Sequence, residues 1–505
     1  MAQADTVVDV LIVGAGLSGI GAAAHLVMQC PTKSYAIVEQ RKDMGGTWDL
    51  FRYPGIRFDT DVFTMGYKFK PWRNAKNLAD GSDVRAYVSD TAAEYGIVPN
   101  IRFGHRVLSA DWSSAEACWT VKAKRESDGD VVTYKANFLY LAAGYYDYDA
   151  GYRPEFPGEA DFAGQIVHPQ HWPEELDYSG KAVVVIGSGA TAITLVPAMA
   201  ERAKKVVMLQ RTPTYLYPVA QTSALYTWLR KILPASAAHA ITRRWNIGMQ
   251  RFAFQMARRN PERMKRNLLK WAREKLPADY SSFEKDFVPP YNPWEQRACA
   301  VPEDDIYKAI GNGKAEIATD TIDHFTAKGI MLKSGRELEA DIIVTATGLN
   351  LVTMGKMAMS VDDEPIRMSE HYYYKGAMFS DIPNMVSIFG YVNASWTLKS
   401  DIVAEYVCRL LNVMDAKGAK IANPKLGKTD MPRLPFVGEF SSGYIARAAH
   451  NLPVNGDRHP WRVLQHYLAE KKILTKEPVD DGVIVFSGPV AAVKEDLVET
   501  LIAAE

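Results

Sequence analysis

The chain has 505 residues, 47% of them hydrophobic, and 59 Lys and Arg are balanced by 59 Asp and Glu. This length exceeds one typical hydrophobic core and predicts two or three domains, while the balanced charge gives no electrostatic reason to expect a nucleic-acid partner. Four scattered cysteines without a CxxC pair predict free thiols in a reducing compartment, and neither a disulfide framework nor a metal site.

The N-terminal segment has no basic region or cleavage site typical of a secreted protein. A glycine loop stops the apolar run Val10–Val13 too early for a signal peptide or a spanning helix. No uncharged run elsewhere reaches about 18 residues, the usual length of a transmembrane candidate. We therefore expect a cytoplasmic protein.

The first predicted unit is a strand, a glycine turn, a helix and a second strand. The turn is Gly14-Ala-Gly16-Leu-Ser-Gly19, directly after an apolar strand. Gly14 allows the tight turn, Gly16 lets the backbone approach a pyrophosphate, and Gly19 permits close packing of the helix. Glu39 stands 20 residues after Gly19 at the end of the next strand, where a carboxylate can accept both ribose hydroxyls. This pattern predicts a dinucleotide site.

A second unit repeats this plan with Gly187-Ser-Gly189-Ala-Thr-Ala192 as its loop. No acid occupies the end of its second strand, where Arg211 and Thr212 are found instead. A guanidinium and a hydroxyl can bind a 2′-phosphate that a carboxylate would repel. The second site is therefore predicted to bind NADPH rather than NADH, although an arginine merely exposed at a strand end remains an alternative.

The segment from 223 to 276 is strongly basic, with thirteen Lys and Arg against only Glu262 and Glu274. Apolar residues such as Trp245 and Phe252 are interleaved at helical spacing, which predicts a helical insertion that caps a cleft. A solvated helical face is the simpler interpretation. Peripheral contact with an anionic membrane is the alternative.

Further motifs lie between and after the two glycine loops. They are Gly46, Thr47 and Trp48 in a GGTW segment, Phe162, Gly164, His168 and Trp172 in an FxGxxxHxxxWP segment, and Thr347 in a late Ala-Thr-Gly turn. The first two segments resemble the loop that wraps FAD and the fingerprint of the Baeyer–Villiger branch of flavin monooxygenases. The Trp172-Pro173 ending favours this branch, because the sister flavin-containing monooxygenases usually end the fingerprint in Tyr.

The resemblance covers nearly the whole chain, and Cys30–Tyr35, Gly46–Arg57 and Asn393–Lys399 are similar to the ethionamide-activating subgroup of type I Baeyer–Villiger monooxygenases. It implies FAD and NADPH as cofactors and O₂ as cosubstrate. It also implies a C4a-peroxyflavin that inserts oxygen beside the carbonyl of a small apolar ketone or oxidises sulfur in thioethers or thioamides. Two alternatives remain, a heteroatom (N/S) oxygenase with little ketone activity and an uncoupled NADPH oxidase.

The same resemblance implies the catalytic residues. Asn292–Pro302 matches the segment that holds the family's active-site arginine and so nominates Arg297. Asp59 corresponds to the family's aspartate near the cofactor, and Asp61 is a less favoured candidate. A permanently charged guanidinium would stabilise the peroxide anion and the oxyanion of its adduct. An ion pair at a domain interface is the alternative for Arg297, and His168 fits a switch in the domain linker better than an acid or base.

The sequence thus predicts an α/β fold with two Rossmann-like dinucleotide-binding domains, for FAD and NADP, and a helical insertion. Residues 1–148 and 341–505 are assigned to the FAD domain, 149–214 and 296–340 to the NADP domain, and 215–295 to the insertion. This assignment has the second domain inserted within the first.

Two later features keep two interpretations each. A helix that begins near Ser395 could direct its N-terminus at the flavin N1–C2=O edge or could simply pack in the core. The methionine-rich stretch from Met354 to Met385 could line an apolar substrate site, but ordinary core is the better interpretation for most of these residues.

Overall fold

A computed structural model describes residues 6–72, 75–296, 298–436 and 443–489 of the chain. The strands are β1 (Thr6–Val13), β2 (Tyr35–Glu39), β3 (Ile101–Phe103), β4 (His105–Ser113), β5 (Cys118–Arg125), β6 (Val131–Leu141), β7 (Gln165–Val167), β8 (Ala182–Ile186), β9 (Lys205–Gln210), β10 (Leu216–Val219), β11 (Cys299–Pro302), β12 (Ala315–Thr319), β13 (Ile322–Thr326), β14 (Gly329–Leu332), β15 (Glu337–Glu339), β16 (Ile342–Thr345), β17 (Ala358–Val361), β18 (Glu364–Pro365), β19 (Tyr373–Tyr374), β20 (Met378–Phe379), β21 (Met385–Ser387), β22 (Ile421–Pro424) and β23 (Ile484–Ser487).

The helices are α1 (Leu17–Gln29), α2 (Thr47–Leu50), α3 (Val62–Met65), α4 (Gly81–Glu94), α5 (Ala190–Ala200), α6 (Ala224–Leu229), α7 (Ala235–Arg259), α8 (Pro261–Lys275), α9 (Phe283–Phe287), α10 (Asp305–Gly311), α11 (Trp396–Lys417), α12 (Gly443–Ala448) and α13 (Tyr467–Lys476).

The first sheet has nine strands in the order β18-β17-β4-β5-β6-β1-β2-β3, with β21 paired to β6. β1 lies between β2 and β6 and is parallel to both, and its buried Val10, Leu11 and Ile12 are 0% exposed. The order in which the strands are added to the sheet therefore reverses at β1. In sheets of this kind ligands bind outside the carboxyl end of the strand where the order reverses. The first glycine loop follows that end of β1.

The second sheet is entirely parallel and has the order β12-β9-β8-β16-β7. β8 lies between β9 and β16, so a second reversal occurs at the strand that precedes the second glycine loop. These two sheets confirm the prediction of two Rossmann-like folds in one α/β chain.

One boundary of the prediction is wrong. We placed the return to the first domain at residue 341, but β16 pairs with β7 and β8 of the second sheet, with Ile342 opposite both Gln165 and Val183. The chain therefore returns to the first sheet after Thr345. The apolar strand and glycine turn that mark this region do not reveal which sheet the strand joins, because that choice depends on distant partners.

Helices α6 to α9 lie between β10 and β11 and form the helical insertion that the sequence predicts. The buried guanidinium of Arg243 in α7 donates to the carbonyls of Phe63 and Gly66, at 2.6 Å each. Asn246 and Gln250, one and two turns further along α7, donate to the Asp61 carboxylate at 2.8 and 2.6 Å. One face of α7 is thus fixed to the first nucleotide fold.

A hydrophobic cluster joins the two folds at the cleft between them. Phe51 and Tyr53 of the first fold pack in the same cluster as Trp172, Val183 and Ala192 of the second. The turn at Gly55 is close enough to α5 that an added Cβ would lie 2.6 Å from the Ala198 Cβ. This contact brings the loop after α2 over the second nucleotide fold.

Candidate dinucleotide and active-site cleft

One cleft extends from the carboxyl end of β1 to the start of α5. Its wall from the first fold includes the glycine loop, the GGTW segment and the segment from Tyr53 to Thr60. Its wall from the second fold includes Ala190, Thr191 and Thr194 of α5 together with Cys299 and Ala300 of β11. The first predicted nucleotide site and the start of the helix that follows the second glycine loop therefore open into a common space.

The first glycine loop turns as predicted. Gly14 has φ +104°, and an added Cβ would lie 2.6 Å from the Ala142 carbonyl oxygen. α1 begins at Leu17, and its N-cap is Gly16, which has no side chain to bind the free N–H groups of the first turn. Gly14 and Gly16 both line the cleft. The loop thus presents unpaired backbone donors to a pyrophosphate.

Glu39 ends β2 beside this loop, with only 4% of its surface exposed. One carboxylate oxygen accepts the Ala15 N–H at 2.7 Å, and the other accepts the Arg41 N–H at 2.9 Å. Burial raises the pKa of Glu39, and these two backbone N–H groups oppose that rise. Glu39 lines the cleft, and each oxygen can accept a second hydrogen bond, which fits two ribose hydroxyls.

The GGTW segment lies directly over the first glycine loop. The Gly45 N–H donates to the Ala15 carbonyl at 3.0 Å, and α2 begins at Thr47. Gly46, Thr47 and Trp48 line the cleft, and the indole of Trp48 packs at 5.4 Å from the Phe58 ring. The segment therefore occupies the position expected of a loop that wraps a dinucleotide.

The N-terminus of the long helix α11 also faces the cleft. Ala394, Ser395 and Trp396 line it, and the Ser395 hydroxyl is buried without a hydrogen-bond partner among the described residues. The Trp396 indole stacks on Tyr145 at 4.9 Å and donates to the Ser18 hydroxyl at 2.9 Å. A helix N-terminus beside an unpaired buried hydroxyl fits a flavin carbonyl, so this contact stays a prediction beside simple packing.

The second glycine loop is more open. Gly187 has φ +137°, and an added Cβ would lie 2.3 Å from the Ala346 carbonyl oxygen, so its turn matches that of Gly14. Gly189 is the N-cap of α5, and apart from its two chain neighbours no atom of the described residues lies within 4 Å of the Cβ that it lacks. That empty space beside a helix N-terminus fits a pyrophosphate. Ala192 is fully buried, at 0% exposure.

Arg211 and Thr212 are exposed at the end of β9. The Thr212 carbonyl accepts the Ser188 hydroxyl at 2.8 Å, which ties this strand end to the second glycine loop. Among the described residues no ion pair includes Arg211. Arg211 is thus exposed next to a strand end that is tied to the second glycine loop, and its binding of a 2′-phosphate stays a prediction.

The fingerprint segment packs against β13 and against the residue that precedes β16, near the point where the chain returns to the first sheet. Phe162 is 9% exposed and lies edge-on to Phe325 at 6.4 Å. A Cβ at Gly164 would lie 2.4 Å from the Asp341 carbonyl oxygen, just before β16. Trp172 is buried in the cluster that joins the two folds. These residues therefore support the linker and do not line the cleft.

His168 lies in the same linker, at the N-cap of the short 3₁₀ turn Pro169–His171. Its Nδ1 accepts the Gln170 N–H at 3.2 Å, and a Cβ at Gly151 would overlap the imidazole ring. Burial lowers the pKa of His168. Thr347 is also part of the linker, because its hydroxyl donates to the Tyr152 carbonyl at 2.6 Å. The assignment of Thr347 as a cofactor contact stays a prediction.

The predicted catalytic residues are placed differently. Arg297 lies outside the described residues. Asp59 lines the cleft, and its backbone carbonyl accepts the Tyr217 hydroxyl at 3.2 Å. Asp61 does not line the cleft and instead caps α3, where it also holds α7. Of the two aspartates, only Asp59 has the position that the resemblance implies.

Sequence reasoning missed Arg57, a cation in the wall of the cleft. Its guanidinium donates to the Asp305 carboxylate at 2.9 Å, and its side chain is 13% exposed. Desolvation raises the pKa of Asp305, against the attraction of Arg57. The available signal was its place in the Gly46–Arg57 segment that carries the resemblance.

The methionine-rich stretch belongs mainly to the core. Met354, Met359, Met368 and Met385 are buried in the cluster beside the first sheet. Met357 is the methionine of this stretch that also lines the cleft. The stretch is therefore ordinary core, as the sequence indicated for most of its residues.

Known proteins share both the sequence and the fold. The model of the pyridine nucleotide-disulphide oxidoreductase family matches residues 11–247. The FAD-containing monooxygenase EthA of Mycobacterium tuberculosis is 49% identical over 480 residues, which cover 95% of this chain and 97% of EthA. This chain therefore belongs to the FAD-containing monooxygenases. The predicted subgroup and the predicted FAD are confirmed.

Solved structures share the fold at lower identity. A steroid monooxygenase in its oxidized, NADP-bound form superposes with a TM-score of 0.78 at 21% identity, covering 96% of this chain and 100% of that one. A closed cyclohexanone monooxygenase gives a TM-score of 0.74 at 19% identity, with 96% and 100% coverage. The arrangement of two nucleotide folds around one cleft is thus shared with both enzymes.

Proposed function

We propose that this FAD-containing monooxygenase uses NADPH and O₂ to insert oxygen beside the carbonyl of apolar ketones and to oxidise sulfur in thioethers or thioamides. The observation that carries the proposal is the common cleft, in which Ser395 of the first fold and Thr191 of the second line one space. Bound FAD would accept a hydride and supply an activated oxygen atom there. NADP(H) would occupy the second fold, and the solved steroid monooxygenase that shares the fold is bound to NADP.

The cleft walls favour an apolar substrate. Trp48, Phe58, Tyr145 and Trp396 surround the position expected for the flavin, and Trp48 and Phe58 contact each other. Aromatic walls exclude water, which strengthens electrostatic interactions with a developing charge. A ketone or thioether has few polar atoms to desolvate, so it fits such a space at little cost.

Arg297 and Asp59 are proposed as the catalytic pair. A permanently charged guanidinium stabilises the negative charge that develops on a carbonyl oxygen under attack. Asp59 lines the cleft and would orient that guanidinium. Arg57 lies in the same wall, but its guanidinium already forms an ion pair with Asp305.

The experiment uses the FAD-loaded enzyme with NADPH, a long-chain ketone and a thioether in separate reactions. Ester and sulfoxide formed in step with NADPH oxidation would support the proposal. Sulfoxide without ester would mean a heteroatom oxygenase. Hydrogen peroxide in stoichiometric yield without either product would mean an uncoupled oxidase.

Two arginine variants separate the candidates for the catalytic cation. Arg297→Ala is expected to lower the rate of ester formation by about 10²–10³, the usual effect of losing such a group, while NADPH still bleaches the flavin. Arg57→Lys keeps the positive charge and is the matched control. A large loss in Arg57→Lys together with a normal rate in Arg297→Ala would assign the role to Arg57.

A further inference from the structure

The outer face of the helical insertion exposes an unusual set of large apolar side chains. We call it the apolar stripe, and its members are 40–63% exposed: Trp228, Ile232, Ile241, Trp245, Met249 and Phe252. The last four lie in α7 at spacings of four, four and three residues, so they share one face of the helix. Contiguous exposed apolar surface of this kind marks an interaction site.

The opposite face of α7 holds the stripe in place. Arg243 is 8% exposed and makes two 2.6 Å hydrogen bonds to carbonyls of the first fold. Asn246 and Gln250 bind Asp61 on the same side. Because these polar contacts are partly or fully buried, rotating α7 to hide the stripe would break several hydrogen bonds. The exposure is therefore fixed by the fold.

The sequence that carries the stripe has charged residues of one sign. Residues 224–261 include seven Lys and Arg and no Asp or Glu. Arg244, Arg251 and Arg258 are exposed and follow one another at intervals of seven residues, so they form a row along one side of the stripe. Within the described part of the chain no ion pair includes Arg244 or Arg251. Arg244 and Arg251 therefore keep their charges for a partner outside the chain.

We propose that the apolar stripe and its arginine row dock on an anionic lipid surface. An interfacial helix needs a large apolar face for the acyl boundary and basic residues for the headgroups, and α7 presents both. A second copy of the chain is a poorer partner, because a two-fold contact would bring the arginine rows of both copies together. No described helix is long and apolar enough to cross a bilayer, so α7 would lie in the interface.

The position of α7 relates this surface to the cleft. Asp61, which α7 binds through its inner face, is two residues from Asp59 in the cleft wall. Docking would therefore hold this part of the cleft wall near the bilayer. An apolar substrate dissolved in the membrane would then have a short path to the site, a consequence that rests on the proposed function, whereas the docking itself does not.

The test is co-sedimentation of the FAD-loaded full chain with vesicles. We expect binding to phosphatidylglycerol-containing vesicles to exceed binding to phosphatidylcholine vesicles, and to weaken with salt because screening shortens the Debye length to about 8 Å at 0.15 M. The double variant Trp245→Ser/Phe252→Ser should lower the partition coefficient at least about tenfold. Val131→Ser, at an equally exposed site on β6, is the matched control and should bind normally.

A charge variant tests the arginine row separately. Arg244→Gln/Arg251→Gln should lose the preference for anionic vesicles, whereas Lys122→Gln/Lys124→Gln, exposed on β5, should keep it. Flavin content and NADPH oxidation report folding and should be unchanged in all variants. Equal binding to both kinds of vesicle, no binding, or a dimer that Trp245→Ser/Phe252→Ser dissociates would overturn the proposal. These readouts are independent of ketone or sulfur turnover.

Discussion

The two nucleotide folds of this chain follow one plan but enclose their ligands differently. In the first, Glu39 is buried and accepts two backbone N–H groups, and the GGTW segment lies over the glycine loop. In the second, Gly189 faces open space, and Arg211 and Thr212 are exposed. Under the proposed function, the buried acceptors of the first site fit a cofactor that is retained, and the exposed cation of the second fits a cosubstrate that exchanges. In this chain the closed site has a buried hydrogen-bond acceptor, Glu39, and the open site has an exposed cation, Arg211.

The third position of each loop shows the same difference at atomic scale. A Cβ at Gly19 would lie 1.9 Å from the Gly14 carbonyl oxygen. Ala192 occupies the matching place in the second loop and keeps its methyl group fully buried. α1 therefore approaches its strand more closely than α5 does, which brings the first helix N-terminus deeper into its site.

The largest expected effect comes from two single variants, each of which gives one loop the residue of the other. Gly19→Ala should destabilise the enzyme by about 3 kcal/mol or more and release the flavin, because the clashing atom is backbone and cannot move aside. Ala192→Gly should cost only about 1 kcal/mol and leave the flavin bound. Thermal melting and the flavin absorbance of the purified variants measure both. Similar melting temperatures for the two variants would contradict the closer packing of α1 on its strand.

The next effect concerns retention of FAD. Glu39→Gln replaces a carboxylate by an amide with one acceptor, so one of the Ala15 and Arg41 N–H groups loses its partner. We expect FAD affinity to fall by about 1–3 kcal/mol, and flavin release on dialysis measures the loss. Glu316→Gln, a carboxylate in β12 paired with Lys205 and Arg336, is the control that should retain flavin. Equal flavin loss in both variants would contradict the role of Glu39.

Local signals predicted the parts of the site that a few consecutive residues determine. Both glycine loops and Glu39 were predicted because a strand, a turn and a helix impose these residues at fixed spacing, whereas the GGTW segment was predicted through its resemblance to flavin monooxygenases. Long-range pairing was not predictable in this way. The sequence could not reveal that β16 joins the second sheet or that Arg57 pairs with Asp305, 248 residues away.

Solvent exposure was the other missing information. Helical periodicity in the insertion predicted an apolar face, but it could not decide whether that face was buried. In α7 the face toward the first fold holds Arg243 and Asn246, whereas Trp245 and Phe252 point outward. Polar anchors on the inner side are thus the reason that large apolar residues remain outside.

A smaller effect tests the second nucleotide site, which is the more open of the two. Arg211→Ala should raise the KM for NADPH about tenfold or more, because a charge-assisted bond to the 2′-phosphate is lost. The KM for NADH should change little, since NADH lacks that phosphate. Steady-state rates with both nucleotides measure the difference, and Arg202→Ala, an exposed arginine just after α5, is the control. Equal increases for NADPH and NADH would show that Arg211 does not read the phosphate.

The smallest effect concerns the linker between the two folds. Burial lowers the pKa of His168 in the folded chain, so below about pH 6.5, the ordinary value, the unfolded chain binds the proton more readily. Stability contributed by the neutral imidazole is therefore present at neutral pH and is lost as the pH falls. His168→Gln keeps an acceptor for the Gln170 N–H but does not titrate. Its melting temperature should fall less than that of the native enzyme between pH 7 and pH 5. Because the remaining titrating groups are common to both proteins, equal falls would mean that the linker does not depend on a neutral His168.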